Sequence, residues 1–175
     1  LQTAERLGNN AVVVYGEGSV HLQEWVGGTD VYRFTKMVVN KGIPSRRGVV
    51  ANGTVHYVMT RDNIYEYNGG RDFKPIGDPI RSEYVSTINN SAMSYAFMDF
   101  LPDENELRVY VPVGTSTQPN TCYICKVGEG YTWFKDLRNH TSRGSFSKPS
   151  GLTIGELQGT IGAQNWKFGD LTIAA

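Results

Sequence analysis

Two cysteines three positions apart are the residues most suggestive of chemistry in this chain. Cys122 and Cys125 form a CxxC pair within Thr-Cys-Tyr-Ile-Cys-Lys, a spacing found in redox motifs and in half-sites for zinc. A tetrahedral zinc site needs four ligands, and the sequence has no other cysteine. The segment also has the composition of a strand, on which residues three apart point to opposite faces. We therefore predict two free structural cysteines, which favours a reducing compartment or a particle assembled in one.

The histidines give weaker evidence of a functional site than the cysteines do. His21, His56 and His140 are distant from one another, and none sits in a recognised catalytic signature. The sequence has no nucleophile elbow, zinc-protease helix, phosphate-binding loop or dinucleotide fingerprint. Gly16-Glu17-Gly18 is glycine-rich, but it lies between two strand-like runs and is interpreted as a hairpin turn. The sequence thus predicts no catalytic residues, no metal ligands and no cofactor.

An acidic cluster lies further along the chain, formed by Asp99, Asp103, Glu104 and Glu106. It lacks the spacing and the central glycine of a calcium-binding EF-hand, so we interpret it as a solvated hairpin loop. A pair of carboxylates for glycoside hydrolysis stays open, because such pairs come together from distant loops. Nothing in the sequence selects one pair.

The elements that position these candidate residues are short runs of apolar side chains, or of alternating apolar and polar side chains. Both patterns are typical of strands. Double glycines at 27–28 and 69–70 lie 42 residues apart. Groups of three or four strands that recur at roughly 40–45 residues are typical of propeller blades. We therefore predict an all-β propeller or partial propeller of four cycles, with a sandwich or barrel as the rival all-β fold. The expected strands are 11–15, 19–26 and 31–39, then 49–51, 54–60 and 63–67, then 93–100, 106–112, 121–127 and 131–134, with a less regular fourth cycle after 136.

One helix is expected near residues 79–85, with Asp78 as its cap and Pro79 in its first turn. Trp25, Trp133 and Trp166 recur about once per cycle, and we interpret them as residues that pack blades together.

Composition limits the function. The chain has 175 residues and a mass of 19.4 kDa, which predicts a single all-β domain over 1–175. It has 17 basic and 17 acidic residues, which argues against a dedicated nucleic-acid binder. No apolar run reaches the roughly 18 residues of a spanning helix, so no membrane partner is expected. The chain begins at Leu1 without a secretory signal, which suggests a processed product, an excised domain or part of a longer protein.

One ordered series of residues resembles a known family. It consists of Gly-Ile-Pro-Ser at 42–45, Val-Val at 49–50, His-Tyr-Val-Met at 56–59, Asn-Ile-Tyr-Glu-Tyr-Asn-Gly-Gly at 63–70 and Pro-Ile-Gly-Asp-Pro-Ile at 75–80. The stretches at 103–112 and 120–133 continue it. This series is similar to that of the β-propeller structural proteins of tailed bacteriophage virions, over about residues 10–136.

The resemblance implies a structural protein without catalysis, part of a ring around the DNA channel at the tail nozzle, tail hub or head-to-tail connection. Its expected partners are copies of itself, neighbouring tail or connector proteins and DNA passing through without sequence specificity. The expected location is the virion, assembled in the host cytoplasm. The connector 42–48 and the loops 101–105 and 114–120 are candidate contact segments. The candidate contact residues are Arg46, Arg47, Asp103, Glu104 and Asn105.

Two rival functions remain open. One is a carbohydrate-binding propeller of the lectin type, and the other is a kelch-like propeller that binds protein partners, which the double glycines favour. The repeated Asp-boxes of a sialidase-like enzyme are absent from the sequence, so we expect no enzyme activity.

Overall fold

The computed structural model of the chain describes residues 2–8, 11–28, 31–128 and 130–137. These residues belong to one compact unit, Leu1–Arg143. In the described part, twelve strands form three antiparallel sheets of four strands each, and every sheet takes its strands in chain order. The prediction of an all-β fold is confirmed. The expected fourth cycle, including Trp166, lies outside the described residues.

Sheet 1 consists of β1 (Thr3–Leu7), β2 (Ala11–Tyr15), β3 (Ser19–Trp25) and β4 (Tyr32–Val39). Sequence analysis found the last three and missed β1. Its sequence Thr-Ala-Glu-Arg-Leu has a single large apolar side chain. The extended conformation of β1 is therefore stabilised by its pairing with β2. The pattern of side chains along β1 alone does not reveal this pairing.

Sheet 2 consists of β5 (Val49–Asn52), β6 (Val55–Met59), β7 (Ile64–Tyr67) and β8 (Lys74–Pro75). The predicted turn between its first two strands is confirmed, and Gly53 there has a φ of 62°. Strand β8 was not predicted, because two residues carry no periodicity.

Sheet 3 consists of β9 (Phe97–Leu101), β10 (Glu106–Val111), β11 (Thr121–Lys126) and β12 (Thr132–Asp136). The strand predicted to begin at residue 93 begins four residues later. The preceding segment, Asn90–Tyr95, is a 3₁₀ helix that the side chain of Asn89 caps. This cap favours a helical turn over continued extension, so the expectation of a single helical segment was also wrong.

The predicted helix is confirmed as α1 (Arg81–Thr87), preceded by a 3₁₀ turn at Asp78–Ile80 with Pro79 at its start. The expectation that Asp78 caps it was wrong. The N-cap residue is Gly77 for the 3₁₀ turn and Ile80 for α1, and the Asp78 carboxylate instead accepts a hydrogen bond of 2.7 Å from Nδ2 of Asn63.

The three sheets stack face to face, with sheet 2 in the middle. The first strands lie side by side, since β5 contacts β1 on one side and β9 on the other. Both faces of sheet 2 are therefore buried, by apolar side chains that differ between the two layers. The layer with sheet 1 includes Val13, Tyr15, Leu22, Val58, Tyr65 and Tyr67, and the layer with sheet 3 includes Tyr57, Met59, Ile64, Leu107, Val109 and Tyr123.

A glycine recurs in the turn between the third and fourth strands of every sheet. Gly27, Gly69 and Gly128 have φ values of 69°, 93° and 124°, a region that other residues rarely adopt. The 42-residue spacing of the double glycines is thus a spacing between equivalent turns. The three sheets thus share a four-stranded antiparallel meander with a glycine in the same turn.

Candidate functional site

The connector between sheets 1 and 2 contains the two arginines predicted to contact a partner. Its first part is packed rather than free. A side chain at Gly42 would overlap the backbone of Glu17, and the Ile43 amide donates to the carbonyl of Gly16 at 3.0 Å. Ile43 and Ser45 are buried, so the surface that the connector offers a partner is reduced to Arg46 and Arg47, both exposed.

Arg47 is engaged with sheet 3. Its guanidinium lies 4.4 Å from the ring centroid of Phe97, a cation–π contact. Its carbonyl accepts a 2.9 Å hydrogen bond from the amide of Met98. Arg47 thus joins the connector to β9, which leaves Arg46 as the arginine better placed for an external partner.

The prediction of one acidic hairpin loop is correct for Asp103 and Glu104, which lie in a tight hairpin between β9 and β10. It was wrong for Asp99 and Glu106, which lie within β9 and β10 themselves. Asp103, Glu104 and Asn105 are exposed at the tip of the hairpin. Asn105 has a φ of 50°, and its carbonyl accepts a 2.8 Å hydrogen bond from the amide of Val127. Asn105 therefore shapes the loop, while the two carboxylates are presented to solvent.

Arg108 organises the acidic cluster, and sequence analysis missed it. Its guanidinium contacts the carboxylate of Glu106 at 2.6 Å and that of Glu104 at 3.0 Å, and it stands opposite Asp99 in the strand register. Lys126 adds a contact to Glu106 at 2.9 Å. Hydrogen bonds from Lys126 and Arg108 lower the pKa of Glu106 to about 2. Glu104, Glu106, Arg108 and Lys126 thus form one ion network. The alternation along β10, which puts Glu106 and Arg108 on one face, could have predicted the pairing of these two residues.

Both cysteines are buried and free, on β11 as predicted. Cys125 packs in the layer between sheets 2 and 3, whereas Cys122 packs with Phe97 and Tyr110 on the opposite face. Burial raises the thiol pKa to about 11 for Cys122 and about 12 for Cys125. Both thiols are therefore protonated at neutral pH and are poor nucleophiles or metal ligands.

His56 is a structural residue between sheets 1 and 2. Its Nε2 lies 2.9 Å from the carbonyl of Arg6 and its Nδ1 lies 2.8 Å from the hydroxyl of Tyr15. Since a carbonyl only accepts, Nε2 carries the proton and Nδ1 accepts from Tyr15. His21 lies on β3 beside the hydroxyl of Ser19 at 3.1 Å, and His140 is outside the described residues.

The first strands of the three sheets form a cleft of about 520 Å³. Glu5 of β1, Asn52 of β5 and Asp99 of β9 are its polar lining, and Phe100 contributes an aromatic wall. This is where the fold brings Glu5 and Asp99, carboxylates from distant segments, to the lining of one cleft. No motif in the sequence marks it.

Three aromatic side chains are exposed on sheet 1. Trp25 is 65% exposed, Tyr32 57% and Phe34 63%. The prediction that Trp25 packs between blades is therefore wrong for the described residues. Trp133 does pack between sheets 2 and 3, and its indole donates to the carbonyl of Ile76 at 2.8 Å.

Within the described ranges, no group of three or more His, Cys, Asp or Glu side chains could hold a metal ion. The helices of that part are all too short or too polar to cross a membrane. No protein-family model matches the chain, and a search of curated proteins finds no match.

Proposed function

We propose that this chain is a β-propeller or partial propeller that serves as a structural component of a tailed-phage virion. In this role it forms part of a ring at the tail or the head-to-tail connection, around the DNA channel. It acts by rigid packing and surface contacts, without catalysis.

The relative placement of the three sheets carries the proposal. Each sheet is a four-stranded meander, and β1, β5 and β9 lie side by side. Successive blades of a propeller have this relation, because their first strands converge on a common axis and their faces pack on each other. A stack of this kind is stiff, and its loops are free to contact neighbours.

The ordered series of residues between positions 42 and 80 supports the same proposal, because several of its side chains hold sheet 2 in place. Oδ1 of Asn63 accepts a hydrogen bond of 2.8 Å from the amide of Ile64. A side chain at Gly77 would overlap that oxygen. The hydroxyl of Tyr65 donates to Asp62 at 2.7 Å and accepts from Lys41 at 2.8 Å. Residues that hold one sheet in place are expected in other proteins of the same architecture, because they serve the fold rather than the binding of a partner.

A second candidate function is a carbohydrate- or protein-binding propeller module. The exposed Trp25, Tyr32 and Phe34 favour it, because aromatic platforms stack on sugars and anchor protein partners.

Density-gradient sedimentation of native source material, with peptide mass spectrometry across the fractions, tests the proposal. We expect peptides of this chain to co-migrate with intact particles. Peptides that stay with free proteins at the top of the gradient would overturn the virion role. Glycan binding by the isolated chain, lost in Trp25→Ala, would then support the second candidate.

A further inference from the structure

The last strand of sheet 1 has an edge without a strand partner. Strand β4 lies at the end of the sheet, and in the described part of the chain it pairs only with β3. Backbone N–H and C=O groups along the other side of such a strand can accept a further strand. With eight residues, Tyr32–Val39, β4 is also the longest strand of the three sheets.

The last strands of the other two sheets are less available for pairing. Strand β8 has two residues, Lys74 and Pro75, and a proline has no N–H to donate. Strand β12 has five residues, and its Lys135 binds the carboxylate of Glu83 on α1, which places a helix beside it. A short edge, a proline and a covering helix all protect a sheet against further pairing. Strand β4 is long and contains no proline.

The side chains of β4 that face away from sheet 2 are large and exposed. Tyr32 and Phe34 are 57% and 63% exposed, and the exposed Lys36 follows on the same face, since side chains alternate along a strand. In the described part of the chain, no ion pair or hydrogen bond engages the Lys36 side chain. Arg33, the other cation of the strand, lies on the opposite face in an ion pair of 3.2 Å with Glu24.

The regular part of β4 is centred on Phe34. The register between β3 and β4 shifts just after Lys36, so the regular stretch consists of residues 32–36. Phe34 is the middle residue of this stretch. A two-fold axis at Phe34 therefore lets the whole regular stretch of one copy pair antiparallel with that of a second copy.

The cross-strand pairs of this register are favourable. Phe34 of one copy lies opposite Phe34 of the other, and Tyr32 lies opposite Lys36 at both ends. Aromatic pairs stabilise antiparallel strands, and an ammonium group over a tyrosine ring adds a cation–π contact. An axis at Arg33 or at Lys36 would instead place like charges directly opposite each other, which is destabilising. An axis at Thr35 would extend the pairing into the irregular part of the strand.

We propose that β4 pairs antiparallel with β4 of a second copy of this chain, in the register centred on Phe34. The pairing adds strand to strand at a sheet edge and joins two four-stranded sheets into one of eight strands. The contact is isologous, because the same residues face each other across a two-fold axis. The inference goes beyond the proposed function, since an isologous contact closes as a dimer and a ring needs a further, heterologous contact.

Sedimentation velocity of the complete chain at about 5–500 μM tests the proposal, because a contact of one short strand is small and its affinity is expected to be weak. Phe34→Lys and Phe34→Glu each place a charge opposite its own copy. We therefore expect each variant alone to dimerise at least about 10-fold more weakly than the native chain. A mixture of the two should restore dimerisation, because lysine and glutamate are then opposite each other, and native mass spectrometry should find the mixed dimer in excess.

Phe134→Lys is the matched control. It makes the same change at a phenylalanine that is 55% exposed on the last strand of sheet 3, and it should leave dimerisation intact. Circular dichroism establishes that each variant is folded. Hydrogen exchange of the native chain needs no variant, and the amides of residues 32–36 should become more protected as the concentration rises.

A native chain that stays monomeric at about 500 μM overturns the proposal. A mixture that fails to restore dimerisation also overturns it, because the contact then does not place Phe34 opposite itself. Loss of dimerisation in Phe134→Lys overturns it in favour of a contact through β12. None of these outcomes decides the virion role, since the gradient experiment follows intact particles rather than dimers of the isolated chain.

Discussion

Tyr15 and His56 form a buried hydrogen bond across the first two sheets, with 2.8 Å between the Tyr15 hydroxyl oxygen and His56 Nδ1. Both residues are fully buried, and the rings lie 6.0 Å apart between centroids. The bond joins β2 to β6, while the other ring nitrogen joins β6 to the backbone of β1. A protonated imidazole has no acceptor nitrogen, so protonation of His56 would remove the acceptor at Nδ1 that the Tyr15 hydroxyl uses.

The first prediction concerns the pH dependence of stability. Burial lowers the pKa of His56 below its usual 6.5, so below that pH the unfolded chain binds a proton that the folded chain does not. The His56 contribution is therefore complete above pH 6.5 and is lost as the pH falls towards the lowered pKa. The free energy of unfolding should fall by at most about 1.4 kcal/mol per pH unit in that window, as measured by urea denaturation at pH 7, 6 and 5. His56→Gln, although less stable, should have a flatter profile, and an unchanged slope would contradict the prediction.

The second prediction concerns the ion network of sheet 3. Glu106→Gln should lower the free energy of unfolding at pH 7 by about 1 kcal/mol, a typical value for a partly exposed network. Because the pKa of Glu106 is lowered to about 2, its contribution is present above pH 4.5 and is lost as the pH falls through 2. The difference between the two proteins should thus shrink in acid. Glu104→Gln, which removes only the more exposed partner of Arg108, should cost less, and an equal cost would indicate that Glu106 has no special role.

The third prediction concerns the packing of the connector on sheet 1. Gly42→Ala places a methyl group against the backbone of Glu17, which cannot move like a side-chain end. We expect a loss of roughly 1–3 kcal/mol of unfolding free energy, the usual cost of overpacking, measured by thermal or urea unfolding. Gly18→Ala is the control, because a methyl group there meets nothing within 4 Å. Equal stability of the two variants would contradict the close packing of Gly42 against the backbone of Glu17.

The fourth prediction concerns thiol reactivity. Since burial raises the pKa of Cys122 and Cys125, neither should react with an aromatic disulfide reagent at pH 7 while the chain is folded. Both should react in denaturant, and the release of chromophore counts them. Rapid modification of either thiol in the folded protein would contradict the prediction. It would show that the thiol is accessible to solvent, and a redox role would then need to be tested.

Much of the fold was accessible to sequence analysis, because alternating side chains identify strands that have one apolar face. The strand with both cysteines was found in this way, and the helix near Pro79 was found from the proline in its first turn. Strands β1 and β8 were not, because a strand that depends on its neighbour for hydrogen bonds need not have a pattern of its own. Asn89 and Asp78 show the same limit, since whether such a side chain caps a helix depends on which partner is within reach.

The sequence by itself determined the β class, the recurrence of the glycine turns and the placement of the cysteine side chains on opposite faces. These follow from backbone geometry, which acts over a few residues. Only the tertiary structure decided that Arg47 lies on Phe97, that His56 bonds to Tyr15 and that Trp25 is exposed while Trp133 is packed. Each of these contacts or exposures depends on residues that are distant in the chain. The packing of whole sheets, rather than local conformational preference, decides which distant residues come into contact.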